Sequence, residues 1–206
     1  GARRLEGLPV VVKANIDGPA GALSSASTPA LSGWRPTKRL APCWERLADA
    51  GAICVANTNL PEMAIGFTTD ATSSVVHGAC LNPWNTAYHS GASSSGTAAA
   101  IAAGVVACGL GTDTAGSLRV PAAINGVVGF RPSLGKRAGR SLVSGMTLSP
   151  LVSPAGKGWP CEGVVPCSKM RDTPGPMGAT GADVALLASV VTGAQPAKAD
   201  LSVVRI

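Results

Sequence analysis

The chain has 206 residues, of which 46% are hydrophobic and 3% aromatic, and its formal net charge is +6. This length can bury a sizeable core, so we expect one domain over residues 1–206. The longest apolar stretch, around 98–110, is alanine-rich and shorter than the roughly 18 to 20 residues that span a bilayer. The basic residues are scattered without interleaved aromatic ones. This pattern predicts a solvated basic surface and argues against membrane insertion and nucleic-acid binding.

Cysteine and histidine spacing argues against a metal centre. None of the six cysteines forms a CxxC pair, and no histidine stands at zinc-finger spacing. We therefore expect reduced thiols in a cytoplasmic protein, an expectation that the absence of an apolar leader also favours. His77 and His89 lie in no nucleophile–base motif, which predicts surface or structural roles. No phosphate-binding glycine motif occurs, so we expect no cofactor.

The first half of the chain predicts two strands and one helix. Residues 8–12 are apolar and β-branched and predict a buried strand that ends at Lys13, which by itself would be an exposed charge. A Ser/Gly/Pro-rich loop follows over 18–37. Residues 42–51 predict an amphipathic helix stopped by Gly51, and residues 52–56 a second buried strand.

The central stretch, 90–121, is predicted as loop, helix, loop. Two glycine-rich segments, 91–97 and 109–117, flank the alanine-rich residues 98–106, which favour a helix because alanine loses almost no side-chain entropy. Glycine allows a ligand to approach the main chain closely. Each loop carries a serine, Ser93 in the first and Ser117 in the second. This arrangement is typical of an active site in which a nucleophile and a proton carrier meet.

Beyond the central stretch the pattern is less regular. Residues 124–130 predict a strand, and 180–192 an amphipathic helix stopped by Gly193. The segment 137–161 mixes Ser, Gly, Pro, Lys and Arg around Trp159 and matches no regular element. We interpret it as an inserted loop; the alternative is a disturbance of the sequence itself.

Several segments, in the same order along the chain, resemble the amidase signature family of serine hydrolases. They are GLPVVVK ending at Lys13, GASSSGT around Ser93, GTDTAGSLRVP around Ser117, and EGVVPCSKMRDTPGPM over 162–177. The spacing between the two serines is also that of the family. The resemblance implies an α/β amidase signature fold, a mixed β-sheet core flanked by helices, incomplete at both ends. Within the family, the chain looks most similar to the indoleacetamide and aryl-amide hydrolase branch.

The resemblance also implies a Ser-cisSer-Lys catalytic triad. Ser117 would attack the amide carbonyl, Ser93 in a cis peptide would relay the proton, and Lys13, neutral before attack, would be the base. The family often has an aspartate where this chain has Ala14, so orientation of the lysine would fall to another residue, such as Asn15 or Asp17.

The second loop would stabilise the developing oxyanion with main-chain N–H groups, and nearby side chains would support it. The expected donors are Thr114, Ala115, Gly116 and Ser117. The expected supporting residues are Ser94, Asp113 and Arg119.

Three functions remain open at this level. The first is an amidase that hydrolyses a small-molecule carboxamide to a carboxylate and ammonia or an amine. The second is a glutaminase like the one in the tRNA-dependent amidotransferase. The third is a truncated, non-catalytic remnant that acts as a binding or scaffold protein. An exposed sheet edge would favour a homo-oligomer.

Overall fold

The structure is a computed structural model that describes residues 2–19, 24–32, 40–66, 73–133, 159–168 and 170–193. Two short 3-10 helices lie at Pro29–Leu31 and Glu62–Ala64. The strands and helices, in chain order, are β1 (Pro9–Lys13), α1 (Pro42–Asp49), β2 (Ile53–Thr58), β3 (Ser73–Ser74), β4 (Gly78–Ala79), β5 (Leu81–Asn82), β6 (Asn85–His89), α2 (Ser95–Ala102), β7 (Cys108–Asp113), α3 (Arg119–Asn125), β8 (Val128–Gly129), β9 (Thr173–Gly178) and α4 (Gly181–Thr192).

The centre of the fold is a mixed five-stranded sheet in the order β2-β1-β7-β9-β8. β1 runs parallel to both β2 and β7, whereas β9 is antiparallel to β7 and β8. In the register of β1 and β7, Val12 lies opposite Leu110. The carboxyl ends of these two parallel strands therefore lie at the same end of the sheet, which places Lys13 beside the last residues of β7. The predicted mixed α/β architecture is confirmed.

Helices cover both faces of β1, whose predicted burial is confirmed. Val10 and Val12 pack with α1 and α4 in one core cluster, and Val11 packs with α2 and α3 in the other. This alternation follows from the two-residue period of a strand. The α1 prediction is confirmed, and Gly51 follows this helix with a φ of +102°. A Cβ there would lie 2.8 Å from the Cα of Glu6, so glycine is needed at this crossing.

The predicted buried strand over 52–56 is wrong in its burial. β2 exists, but Ile53 is 54% and Val55 52% exposed. Within the described part of the chain, β2 is an edge strand that pairs with β1 alone. A short apolar strand is buried on both faces only where other elements cover both faces. The sequence of the strand itself does not show whether those elements are present.

Two boundaries in the central stretch also differ from the prediction. The helix α2 begins at Ser95, inside the predicted loop, and most of the second loop is strand β7. The glycines of β7 serve close packing. A Cβ on Gly109 would lie 2.6 Å from the Val11 oxygen, and one on Gly111 would lie 2.6 Å from Ser94 Oγ. Glycine in this segment therefore allows neighbouring segments of the chain to approach closely and does not form a turn.

The predicted strand over 124–130 is mostly wrong. Helix α3 occupies Arg119–Asn125 and ends at Gly126, which has a φ of +70°, so only the short β8 remains. The sequence does not predict β9 as a strand, because Pro174 and Pro176 lack the N–H that a ladder needs. Phe130 N donates to Pro176 O, so Pro176 directs its carbonyl, and the nitrogen that lacks a hydrogen, towards the side of the short β8. The full-length pairing with β7 is thereby preserved.

The predicted helix over 180–192 is confirmed as α4, which begins with a capping box between Thr180 and Asp183. Most of the proposed inserted loop, 137–158, lies outside the described residues. Its end is described, and Trp159 is 2% exposed and packs in the α1–α4 core cluster. Trp159, near the end of that segment, is therefore a core residue. No helix in the described ranges is long and apolar enough to cross a membrane.

Candidate active site

Lys13 ends β1 as a fully buried lysine. Its Nζ donates to three hydroxyl oxygens: Ser93 Oγ at 2.7 Å, Thr112 Oγ1 at 2.8 Å and Ser94 Oγ at 3.1 Å. A lysine without a described carboxylate in direct contact, held by neutral hydroxyls, has no counter-ion to stabilise its charged form. The alternative of an exposed charge at a strand end is therefore wrong.

Burial lowers the pKa of Lys13 to about 7. Desolvation penalises the ammonium form, and the more distant carboxylates of Asp113 and Asp172 offset only part of that effect. Near neutral pH a substantial fraction of Lys13 is therefore a neutral amine, which is the form that accepts a proton. This property matches the requirement for a general base.

The first serine loop is attached to the end of β7. The Ala92–Ser93 peptide bond is cis, as the resemblance implies, and Ser93 is 1% exposed. Ser94 Oγ donates to Thr112 O at 3.0 Å and accepts from Thr112 N at 3.2 Å. Ser94 thus fixes the loop to the strand that carries Thr112, so that the Ser93 hydroxyl remains beside Lys13.

Ser117 lies between β7 and α3 and is 8% exposed. Its carbonyl accepts a hydrogen bond of 3.2 Å from Ser94 N. Residues 93 and 117, which are far apart in the sequence, therefore belong to loops that are in direct contact. The structure brings Lys13 and Ser93 within hydrogen-bond distance and places the Ser117 backbone against the residue that follows Ser93.

A buried carboxylate holds the second loop. Asp113 is fully buried, and its oxygens accept from the Arg119 guanidinium at 3.1 and 3.2 Å and from the N–H groups of Gly116 and Leu118 at 2.8 and 3.1 Å. Burial would raise the pKa of the Asp113 carboxyl, but these hydrogen bonds outweigh it and hold the pKa below its usual value. Arg131 Nε lies 3.3 Å from the same carboxylate. Asp113 and Arg119 therefore contact each other directly.

The predicted oxyanion donors are not equivalent in the structure. The Gly116 N–H points to Asp113 Oδ1 and is already used. The remaining candidates are the N–H groups of Thr114, Ala115 and Ser117. The side chain of Thr114 donates to Asp172 Oδ1, while Asp172 Oδ2 accepts from Cys167 N and Ser168 N at 2.8 Å each. Asp172 therefore connects this loop to Cys167 and Ser168.

Sequence reasoning misses Thr112 and Asp172. Thr112 contacts Lys13 and also accepts a 3.1 Å hydrogen bond from Asn15 Nδ2. Of the two residues considered in place of the aspartate absent at Ala14, Asn15 reaches the lysine's environment in this way. The Asp17 backbone instead bonds Gly163 and Ala41. Thr112 is missed because the glycines of segment 109–113 predict a loop, whereas in a strand paired with β1 this residue lies beside the end of that strand.

The remaining features of this region do not add a metal centre. Gly91 N donates to His89 Nδ1 at 3.0 Å, and Ser74 Oγ accepts from His77 N, so both histidines contact turns. The described ranges contain no group of three or more His, Cys, Asp or Glu residues placed to hold a metal. A cavity of about 490 Å³ lies along β2, lined by Ala14, Thr58 and Asn59 among others. Lys13, Ser93 and Ser117 do not line it.

Comparison with known families gives one match that covers almost the whole chain. The family described as Amidase matches residues 2–205. Mandelamide hydrolase of Pseudomonas putida is 39% identical over 196 residues, which is 94% of this chain and 34% of that protein. Indoleacetamide hydrolase of Rhizobium radiobacter is 38% identical over 190 residues, 91% of this chain and 34% of that one.

Two further similarities concern other members of the group. One component of the glutamyl-tRNA(Gln) amidotransferase of a Synechococcus species is 38% identical over 192 residues, with 93% of this chain and 34% of that protein covered. The structure of native peptide amidase from Stenotrophomonas maltophilia superimposes with a TM-score of 0.71 at 36% identity, covering 95% of this chain and 37% of that one. This chain thus spans about a third of the length of its relatives.

Proposed function

The chain belongs to the amidase family, and on that premise we propose that it hydrolyses a small-molecule carboxamide through an acyl-enzyme on Ser117. One observation carries the proposal: a fully buried Lys13 whose amine is held by hydroxyls, with the Ser93 hydroxyl 2.7 Å away. A serine hydroxyl is a weak nucleophile near neutral pH and needs an adjacent base. A neutral lysine amine, connected through a second hydroxyl, supplies that base.

The hydrogen bonds around Lys13 support one direction of proton transfer. The Ser94 hydroxyl proton goes to Thr112 O, so Ser94 Oγ can only accept from Lys13 Nζ. Thr112 Oγ1 also accepts from Lys13 and from Asn15 Nδ2. A neutral amine has two N–H donors and one lone pair. The protonated amine donates to all three hydroxyls, including Ser93 Oγ at 2.7 Å. In the neutral amine, with both donors used by Ser94 and Thr112, the lone pair can instead accept the hydroxyl proton of Ser93.

The proposed reaction then balances its protons. Ser117 Oγ attacks the amide carbonyl while its proton passes to Ser93 Oγ and the Ser93 proton passes to Lys13 Nζ. The same path in reverse protonates the leaving nitrogen when the C–N bond breaks, and ammonia or an amine departs. Water attacks the Ser117 ester by the same relay, releasing the carboxylate. No cofactor is needed for this sequence of steps.

The oxyanion of the tetrahedral intermediate would be stabilised by main-chain donors of the loop after β7. We assign this role to the N–H groups of Thr114, Ala115 and Ser117, because the Gly116 N–H is used by Asp113. In other acyl-transfer enzymes, loss of one such donor costs about 3 kcal/mol of transition-state stabilisation. Gly116, Asp113 and Arg119 would then act by fixing the shape of the loop.

An aryl-substituted acetamide is the substrate class that we favour. The named activities of the two hydrolases at 38–39% identity both concern such amides, mandelamide and indoleacetamide. The similarity to the amidotransferase component supports a second candidate, glutamine hydrolysis. Ammonia release from mandelamide, indole-3-acetamide and glutamine, measured side by side, distinguishes the two.

We further propose a cytoplasmic location and self-association through the exposed edge at β2. Ile53 and Val55 are more than half exposed along this strand. An unpaired apolar edge is a template for pairing with another chain. Size-exclusion chromatography at several protein concentrations tests this, and a concentration-independent monomer peak would contradict self-association.

The decisive experiment is intact-mass measurement after treatment with a fluorophosphonate probe. A single adduct on the wild-type chain, absent from Ser117→Ala, would mean that the nucleophile is activated and the site assembled. No adduct on a chain that melts cooperatively would contradict catalysis and favour the binding or scaffold role. Early, non-cooperative melting with dye binding would point to an incompletely packed remnant.

A further inference from the structure

Asn125, the last residue of α3, connects the two loops of the candidate active site. Its side chain is fully buried, and Nδ2 donates to two main-chain carbonyls, Ser90 O and Pro121 O, each at 2.7 Å. Ser90 directly precedes the loop that contains Ser93. Pro121 lies in the first turn of α3, just after Ser117. The side-chain amide of Asn125 thus joins the backbone just before the Ser93 loop to the backbone just after Ser117.

These bonds use the full donor capacity of the side chain. An asparagine amide has two N–H donors, and each meets one carbonyl. The Asn125 Oδ1 atom, in contrast, has no hydrogen-bond partner within the described residues. The position therefore depends on the donors of the amide and not on its acceptor. Ser90 is also fully buried, so its carbonyl has no solvent to replace a lost donor.

The backbones joined by Asn125 are already in close contact. A Cβ on Gly91 would lie 2.8 Å from the Cα of Pro121, which shows how little space separates the first loop from α3. The hydrogen bond from Ser94 N to Ser117 O is a second contact between the loops. Because the loops touch at both points, a displacement at Ser90 would be transmitted to Ser93 and to its distance from Lys13.

We propose that Asn125 is a positioning residue for the catalytic relay: its amide fixes the first serine loop against the helix that follows Ser117. This inference rests on the proposed function for its catalytic consequence. Asn125 does not touch the reacting atoms. It acts through Ser90 on the position of Ser93, and so on both the proton relay and the desolvation of Lys13.

The chain offers a matched control for this position. Trp84 Nε1 donates to the backbone oxygen of Asn125 at 2.9 Å, and Trp84 is 73% exposed. Trp84→Phe therefore removes one hydrogen bond to the same residue without a direct bond to Ser90. A graded series at Asn125 follows from donor count: Asn125→Ser keeps one donor and Asn125→Leu keeps none.

The experiment measures the fluorophosphonate labelling rate against pH and amide hydrogen exchange of the peptides covering 90–94 and 114–118. We expect Asn125→Leu to slow labelling at least tenfold and to move the pH midpoint upward, because Lys13 becomes better solvated. Asn125→Ser should fall between Asn125→Leu and wild type. Trp84→Phe should stay within twofold of wild type with the same midpoint. Exchange in both loop peptides should rise at least fivefold in Asn125→Leu.

The outcomes separate this inference from the proposed function. If Asn125→Leu labels at the wild-type rate and midpoint, the positioning role is overturned. If Asn125→Leu does not fold, Asn125→Ser decides, because an unchanged midpoint there contradicts the proposal equally. If wild type itself is not labelled, the proposed function fails. Hydrogen exchange then still decides whether Asn125 holds the two loops, since exchange that rises in neither loop overturns it.

Discussion

Two regions of the sheet differ in burial although both are built from short apolar strands. One lies at the carboxyl ends of β1 and β7, and the other is the edge strand β2. The first region is buried and its polar groups are paired: Lys13, Ser94 and Thr112 form a continuous hydrogen-bond network. The second region exposes apolar side chains, with Ile53 and Val55 more than half accessible. Both β1 and β2 are short, apolar and next to each other, yet only β1 is covered on both faces.

The two regions differ in how many described neighbours contact them. The residues of the proposed relay are positioned by contacts with other described elements. The β2 edge has no such neighbour within the described ranges, and the cavity of about 490 Å³ lies along it. Relatives are about three times as long as the region that they share with this chain. Changes in the two regions should therefore have different consequences.

The largest effect on the reaction rate is expected for Lys13→Met, which tests whether the buried hydrogen-bond network has a catalytic role. Removal of the base should lower the labelling or amidase rate by about 10²–10⁴-fold, the usual contribution of general acid–base catalysis. Stability should hold or rise, because the substitution removes a buried amine that has no direct charge partner in the described structure. Thermal melting and probe labelling measure the two quantities on the same samples.

A matched control for this prediction is Lys13→Arg, which keeps a positive charge that cannot be lost near neutral pH. It should be as inactive as Lys13→Met but less stable. Activity retained in either variant would remove Lys13 from the proposed mechanism.

The second prediction concerns Asp113→Asn, which breaks the carboxylate network of the second loop. The substitution leaves Arg119 without its ion pair and weakens the bonds to Gly116 and Leu118. Loss of one partner of a buried pair typically costs about 3–5 kcal/mol, but Arg119 is more than half exposed, so we expect about 1–3 kcal/mol. Urea unfolding measures it. Arg119→Lys is the milder control, and equal losses in both variants would contradict a dominant role of the backbone donors.

The third prediction concerns the pH dependence of stability. The folded pKa of Lys13 is about 7, below its ordinary value of 10.5, so the unfolded chain binds more protons between these values. Stability should therefore rise with pH from about 7 towards 9, by up to about 1.4 kcal/mol per pH unit. Above the ordinary thiol pKa of 9.0, the buried thiols of Cys43 and Cys108, whose pKa values burial raises, lower the stability as pH rises and oppose the Lys13 effect. At the acid end, the lowered pKa of Asp113 means that its contribution is lost as pH falls through the folded pKa. Urea unfolding at several pH values tests both, and Lys13→Met should remove only the alkaline slope.

The candidate site is more predictable from the sequence than the rest of the fold, because its lysine and serines are residue types with recognisable chemistry. Lys13, Ser93 and Ser117 can be selected from spaced motifs, and the structure brings the first two within 2.7 Å. Thr112 and Asp172 cannot be selected, because a threonine in a glycine-rich segment and an acid beside arginine have no distinctive pattern. Their contacts depend on the pairing of β7 with β1 and on the hydrogen bonds that join Asp172 to Thr114, Cys167 and Ser168.

The errors in the fold have a common physical cause. Local propensity does not contain the information about which neighbours cover an element. The apolar residues of β2 predict burial, and β9 is not recognised because Pro174 and Pro176 disfavour strands. Contacts with other strands determine the outcome in each case. β2 is exposed because it has one partner strand in the described structure, and β9 pairs along β7 because Pro176 faces the side of the short β8. The glycines of β7 suggest turns although they permit close packing.

The smallest effect is expected at the edge itself, from the same substitution placed in the two regions. Val55→Thr changes a residue that is 52% exposed and should alter stability by no more than about 0.5 kcal/mol. Val11→Thr puts a hydroxyl into a site that is 1% exposed and should cost about 1–3 kcal/mol, because a buried hydroxyl without a partner loses its hydration. Urea unfolding compares them. A cost at Val55 as large as that at Val11 would mean that the β2 edge is covered in solution, and size-exclusion chromatography of the same variant would then show whether another copy of the chain covers it.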